Sequence, residues 1–237
     1  MSVIAQAGAK GRQLHKFGGS SLADAKCYLR VAGIMKEYSQ AGDMMVVSAA
    51  GSTTNQLISW LKLSQSDRLA AHQVQQSLRR YHTELIGGLL EPAAADTLIA
   101  AFIHDLERLA GLLDGGVSEA VYAEVVGHGE VWSARLMAAV LNQLGMEAAW
   151  LDARAFLRAE RAAQPQVDEG LSYPLLQQLM AQHPNKRLVV TGFISRNQAG
   201  ETVLLGRNGS DYSATQIGAL AGASRVTIWS DVAGVYS

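Results

Sequence analysis

Three stretches of this chain combine residue types able to handle anions or an amino acid. The first is Lys16-Phe17-Gly18-Gly19-Ser20-Ser21. Glycines let a phosphate approach backbone N–H groups with no Cβ in the way, and a helix starting just beyond adds its positive end. An ordinary strand–turn–helix with a capping serine has the same composition. The motif is not a Walker A loop, because Gly-Lys-Ser/Thr occurs nowhere, and it lacks the third glycine of a dinucleotide fingerprint. The second is Leu205-Gly206-Arg207-Asn208-Gly209-Ser210-Asp211. A guanidinium held between glycines suits a carboxylate, which arginine grips with two parallel hydrogen bonds. Ser210-Asp211 also reads as a plain helix cap. The third is Gly127-His128-Gly129-Glu130, inside a helical stretch. Each helical glycine costs about 1 kcal/mol against alanine, which a purely structural helix would avoid. Glu130 is a candidate partner for a ligand ammonium. His128 reads as a satisfied or exposed histidine rather than a ligand, because the His-x-Glu of zinc deaminases needs a Pro-Cys-x-x-Cys partner.

Two further loops are suggestive. Ser48–Asn55 (SAAGSTTN) follows an apolar run, where open α/β sheets bind ligands at strand ends. A flexible connector has the same look. Trp229–Tyr236 (WSDVAGVY) has polar and aromatic residues able to hold a base and ribose, or to make a turn. No Ser/His/Asp triad and no His-Glu-x-x-His is legible.

The elements that carry these loops alternate. Strands are expected at Gln13–Phe17, Met44–Val47, Ala148–Leu151, Arg187–Ile194, Val203–Leu205 and Arg225–Trp229. Helices are expected at Ala23–Ser39, where Leu29, Ala32, Ile34 and Met35 keep helical spacing, at Leu175–Gln182 and at Asp211–Ala221. Several more lie between Gln56 and Leu113. Glu119–Leu144 reads as a long helix interrupted near Gly127-His128-Gly129. Strands alternating with helices predict an α/β class with a mainly parallel sheet covered on both faces. Residues 1–11 read as a loose arm, and a change of texture near Ala181–Lys186 suggests two lobes.

Composition narrows the function classes. Of 237 residues, 49 % are apolar and 17 % charged, below the roughly 25 % charged of typical domains, so much of the chain is expected to be interior. Twenty basic against 21 acidic residues leave a net charge of −1, which argues against a general nucleic-acid binder and against disorder. Cys27 alone rules out a disulfide framework or multi-cysteine metal site. No run approaches the ~18 apolar residues of a membrane span, and the start lacks a signal peptide's apolar core. A cytoplasmic protein is the expectation.

Taken in order, KFGGSS, VVSAAGSTTN, GHGE, TGFISRN, LGRNGSDYSA and WSDVAGVY resemble the motifs of aspartokinases of the amino-acid kinase superfamily. The resemblance covers essentially everything after residue 11. Within that family it is similar to the amino-terminal kinase half of bacterial bifunctional aspartokinase–homoserine dehydrogenases. It implies an amino-acid kinase αβα sandwich over 12–237, with an acceptor lobe at 12–185 and the start of a nucleotide lobe at 186–237. It implies transfer of the γ-phosphoryl of MgATP to the side-chain carboxylate of L-aspartate, the first step toward lysine, threonine and methionine. ATP with Mg²⁺ enters as a substrate complex, and no tightly bound cofactor or protein-held metal is implied. By the same resemblance, Lys16 and Asp211 are catalytic, Asp211 orienting the lysine. Gly18, Gly19 and Ser20 bind phosphate. Ser48, Thr54, Glu130, Phe193, Arg207 and Ser210 form the aspartate pocket, and Ser230, Asp231 and Tyr236 serve the nucleotide. Family members commonly dimerise, so a homodimer is one expected assembly.

Two departures stand out. Asn208 replaces the family's usual glycine, and asparagine tolerates left-handed backbone better than most residues. The family continues past Tyr236 with an Asp-Pro-Arg segment, a further nucleotide-site lysine, ACT domains and, in the bifunctional type, a dehydrogenase. The nucleotide lobe is therefore expected to be incomplete. The competing expectations are another amino-acid kinase, of glutamate 5-kinase or acetylglutamate kinase type, and a silent fragment that binds aspartate only.

Overall fold

A computed structural model of the chain describes residues 11–206 and 208–230. The strands are β1 (Gln13–Phe17), β2 (Met44–Val47), β3 (Ala148–Leu151), β4 (Arg187–Thr191), β5 (Ile194–Arg196), β6 (Thr202–Leu204) and β7 (Arg225–Trp229). Five form one sheet in the order β3-β4-β2-β1-β7, and every neighbouring pair is parallel. Strands β5 and β6 make a separate antiparallel hairpin.

The sheet's apolar run Met44–Val47 is buried at every position, as a strand covered on both faces requires. Its residues divide by the two-residue period. Met45 and Val47, with Phe17 and Val189, face one core; Met44 and Val46, with Leu14, Leu188 and Val190, face the other. The first core is roofed by α1 (Ala25–Tyr38), α2 (Thr53–Ser64), α3 (Arg68–Gly87), α4 (Pro92–Asp114) and α5 (Glu119–Gln143). The second is covered by α6 (Glu169–Ala181) and α7 (Gly209–Leu220). Helix starts are set by side chains that accept the otherwise unpaired first N–H groups: Asp24 from Cys27, Asp67 from Ala70, Ser118 from Val121 and Asp168 from Leu171.

Three expectations need correction. Helix α5 runs unbroken through Gly127-His128-Gly129. Those glycines mark close packing rather than a break: a Cβ on Gly127 would lie 2.5 Å from Ile194 Cγ2, and one on Gly129 2.8 Å from Ala49 Cβ. Strand β4 ends at Thr191 rather than Ile194, because Phe193 turns to a left-handed φ of 65° and redirects the chain into the hairpin. Helix α6 starts at Glu169, ahead of Leu175, because Asp168 caps it there. Among the described residues, no helix is long and apolar enough to cross a membrane.

Candidate functional site

Because β1, β2 and β4 are parallel, the loops that follow them leave the same edge of the sheet. The N-terminus of α7 faces the same place, and the four segments enclose an open crevice of about 410 Å³. Its lining contains Lys16, Gly18, Gly19, Ser20, Ser48, Thr54, Glu130, Phe193, Ser210 and Asp211, all expected from the sequence. Ala49, Gly51, Gly206, Asn208 and Gly209 complete it. Ser230 follows β7 at the same edge, exposed and outside this lining. Arg207, Asp231 and Tyr236 lie outside the described residues.

Lys16 reaches the crevice through strand periodicity. It shares the face of Leu14, toward α7, and its Nζ lies 2.5 Å from Asp211 Oδ1 in the first turn of that helix. Around it the backbone is pressed close. A Cβ on Gly19 would lie 2.7 Å from the Ala49 carbonyl oxygen, and Gly51 N–H donates to the Gly19 carbonyl at 2.9 Å. Only glycine lets the loops after β1 and β2 touch backbone to backbone here. Gly192 is as tight, with Ser210 Oγ 2.8 Å from where its Cβ would sit.

Two residues hold left-handed backbone at the rim. Phe193 is fixed because its N–H donates to Ser213 Oγ at 2.8 Å and its carbonyl accepts from Leu205 N–H at 2.8 Å. Asn208, at φ 55°, is the N-cap of α7, and its carbonyl accepts from Asp211 and Tyr212 N–H. Asparagine there takes the backbone that glycine would otherwise supply.

Glu130 supplies the crevice's unusual charge chemistry. It is 3 % exposed, and burial pushes its carboxyl up to about 8, although the N–H groups of Ala49 and Glu130 itself favour the ionised form. Its Oε2 has no hydrogen-bond partner among the described residues. A buried carboxylate of this kind favours a ligand cation that supplies the missing donors.

Sequence reading missed the partners that fix Glu124 and the expected-satisfied His128 on α5, and it missed the buried His82 on α3. Glu124 accepts from Arg154 Nη1 (2.7 Å), Thr202 Oγ1 (2.6 Å) and Arg108 Nη2 (2.9 Å). His128 is buried, with Nε2 3.4 Å from Asp105 Oδ2. His82 is buried against Thr53. These partners are separated by tens of residues, and no local pattern announces them. Among the described residues, no three His, Cys, Asp or Glu side chains cluster as a metal site.

The architecture is thus that of a parallel α/β protein with a polar, glycine-framed crevice at the carboxyl edge of its sheet, the usual ligand position of such folds. The chain belongs to the amino acid kinase family, whose model matches residues 11–237. It is 85 % identical, over all 237 residues, to the bifunctional aspartokinase/homoserine dehydrogenase 2 of Escherichia coli (strain K12), and spans 29 % of that protein's length. It is 31 % identical over 225 residues to lysine-sensitive aspartokinase 3 of the same organism, covering 94 % of this chain and 49 % of the relative. Among solved structures, E. coli aspartokinase III in complex with aspartate and ADP (R-state) superposes with a TM-score of 0.85 at 28 % identity, covering 95 % of this chain and 50 % of the other.

Proposed function

We propose that this chain is the kinase portion of an aspartokinase, transferring the γ-phosphoryl of MgATP to the side-chain carboxylate of L-aspartate to give 4-phospho-L-aspartate. The observation that carries the reading is the convergence of an ion-paired lysine, Lys16, and a buried carboxyl, Glu130, short of donors among the described residues, on one glycine-walled crevice. The relatives' names and the aspartate and ADP held by aspartokinase III support it.

A side-chain carboxylate of aspartate is ionised near neutral pH, so it attacks without a general base. One O–P bond forms, the bond to the β-phosphate oxygen breaks, and ADP leaves; no proton need move. The protein's task is positioning and charge. Lys16, aimed by Asp211, offsets negative charge where two anions must approach. The N–H groups of Gly18 and Gly19 are donors for phosphoryl oxygens. Glu130 takes the aspartate ammonium, and Arg207, by family resemblance, takes a carboxylate. Magnesium enters as part of the nucleotide substrate. Ser230, Asp231 and Tyr236 belong to the nucleotide side.

Calorimetry of the 237-residue chain with L-aspartate and, separately, with MgATP tests the proposal. L-aspartate is expected to bind, and N-acetyl-L-aspartate, which lacks the ammonium, at least tenfold more weakly. ADP release with both substrates is expected to fall by about 100-fold in Lys16→Ala, the scale for one preorganised electrostatic group. Equal affinity for the acetylated and free amino acids removes Glu130 from the reading. No detectable aspartate binding overturns it.

A further inference from the structure

His82 belongs to no motif, lies outside the crevice lining, and sits on α3 among Tyr81, Phe102 and Trp132. It is 2 % exposed, and burial holds its imidazole down to about 3, so it is neutral at any working pH. Its polar link to Thr53 decides its use. His82 Nε2 lies 3.1 Å from Thr53 Oγ1, and Thr53 Oγ1 lies 2.6 Å from the Ala50 carbonyl oxygen. Two oxygens that close need a hydrogen between them, and a carbonyl has none. The hydroxyl's one proton therefore goes to Ala50. His82 must then donate, which fixes the Nε2–H tautomer.

Ala50 is the middle of the loop that follows β2. Its neighbour Ala49 gives its N–H to Glu130, and Gly51 gives its N–H to the Gly19 carbonyl. The Thr53 methyl and Ala49 Cβ also press against the bare backbone of Gly129. The relay His82→Thr53→Ala50 thus ends on the short segment that touches both the ammonium-binding acid and the phosphate loop.

We propose that His82 is a positioning residue for the acceptor site, acting through Thr53 to hold the Ala49–Gly51 backbone in its ligand-ready conformation. This rests on the reading of the crevice as an aspartate site only for its binding consequence, not for its structural one.

The test uses the full 237-residue chain and three variants. His82→Gln keeps a donor where Nε2 stands, His82→Leu removes it, and Thr53→Val removes the hydroxyl while keeping the shape. Two readouts are taken: amide hydrogen exchange at Ala49 and Gly51 relative to Val190, and L-aspartate affinity by calorimetry. His82→Leu and Thr53→Val are expected to speed exchange at Ala49 and Gly51 about tenfold with Val190 unchanged, and to weaken aspartate about tenfold. His82→Gln is expected to stay within about threefold of the parent on both. The double variant His82→Leu/Thr53→Val is expected to be no worse than either single one, because both cut the same chain. Unchanged exchange at Ala49 and Gly51 in His82→Leu and Thr53→Val overturns the proposal, whatever happens to thermal stability. So does failure of His82→Gln to rescue. If the parent binds no aspartate, the aspartate reading falls while the exchange data still decide the role of His82.

Discussion

Helix α5 carries two acids six residues apart, Glu130 buried and Glu124 partly buried, and their surroundings are opposite. At Glu124, burial pushes the carboxyl up, but Arg154, Thr202 and Arg108 overcome it and hold the group at about 2. At Glu130, burial meets only backbone N–H groups, and the carboxyl rises to about 8. Glu124 ties α5 to β6, to α4 and to the 3-10 turn Ala153–Ala155, so its donors are complete without any ligand. Glu130 faces the crevice with one oxygen unmet among the described residues. One helix therefore uses the same side chain as a fastening at one point and as a ligand-seeking group two turns on. What separates the uses is whether the fold supplies the partners.

The sharpest way to break this contrast is to remove each acid. Glu124→Ala leaves Arg154, only 9 % exposed at its side chain, with Asp152 as its one ion-pair partner among the described residues. Breaking a buried ion pair costs about 3–5 kcal/mol, and the partial exposure of Glu124 puts the expectation at the lower end. Thermal melting should fall by roughly 10 °C. Glu130→Ala should melt no lower than the parent and lose aspartate affinity by about 10–100-fold, the range for a hydrogen bond to a charged group. Similar melting losses in both variants, with aspartate binding intact in Glu130→Ala, would erase the distinction.

Acidity separates the pair next, with opposite signs. The folded-state value of Glu124 lies below its ordinary 4.5, so its stabilisation is complete above that pH and fades as pH falls from 4.5 toward 2. Glu130 is raised, so the folded chain holds its proton more tightly and stability declines as pH rises from 4.5 to about 8. His82 adds a loss below 6.5, because its folded-state value is about 3. Urea unfolding across pH 3–9 should show Glu130→Gln flattening the alkaline decline and Glu124→Gln flattening the acid one. An alkaline slope unchanged by Glu130→Gln contradicts the assigned environment of that residue.

How much of this was legible follows from the range of the interactions. Met44–Val47 reads as a buried strand because burial on both faces leaves an unbroken apolar run. The glycines at 18, 19, 127 and 129 draw the eye because their local cost demands a compensation. The compensation itself is not local. Gly129 looks like a helix break until Ala49 and Thr53 are seen against it, and Phe193 looks like strand until its φ is known. Glu124 and His82 are ordinary helical residues in the sequence. Their meaning lies with Arg154, Thr202 and Thr53, 30, 78 and 29 positions away. Ser230, a nucleotide residue by family resemblance alone, follows β7 outside the crevice lining.

The glycines between and beyond the two acids give the finest test. Alanine at an exposed helical glycine should stabilise by about 0.5–1 kcal/mol, through helix propensity and a less flexible unfolded chain. Gly111 in α4 is such a position, exposed with nothing within 4 Å of an added Cβ. Gly129 has the same propensity gain available, but its Cβ would lie 2.8 Å from Ala49 Cβ and 3.1 Å from Thr53 Cγ2. Overpacking of this kind costs about 1–3 kcal/mol, so Gly129→Ala should be net destabilising by about 1 kcal/mol. It should also weaken aspartate, because the displaced Ala49 is the residue whose N–H meets Glu130. Gly111→Ala should leave aspartate affinity unchanged while raising the urea midpoint. If Gly129→Ala gains stability as Gly111→Ala does and keeps its affinity, the loop after β2 yields freely, and close packing at Gly129 is not what sets the acid's surroundings.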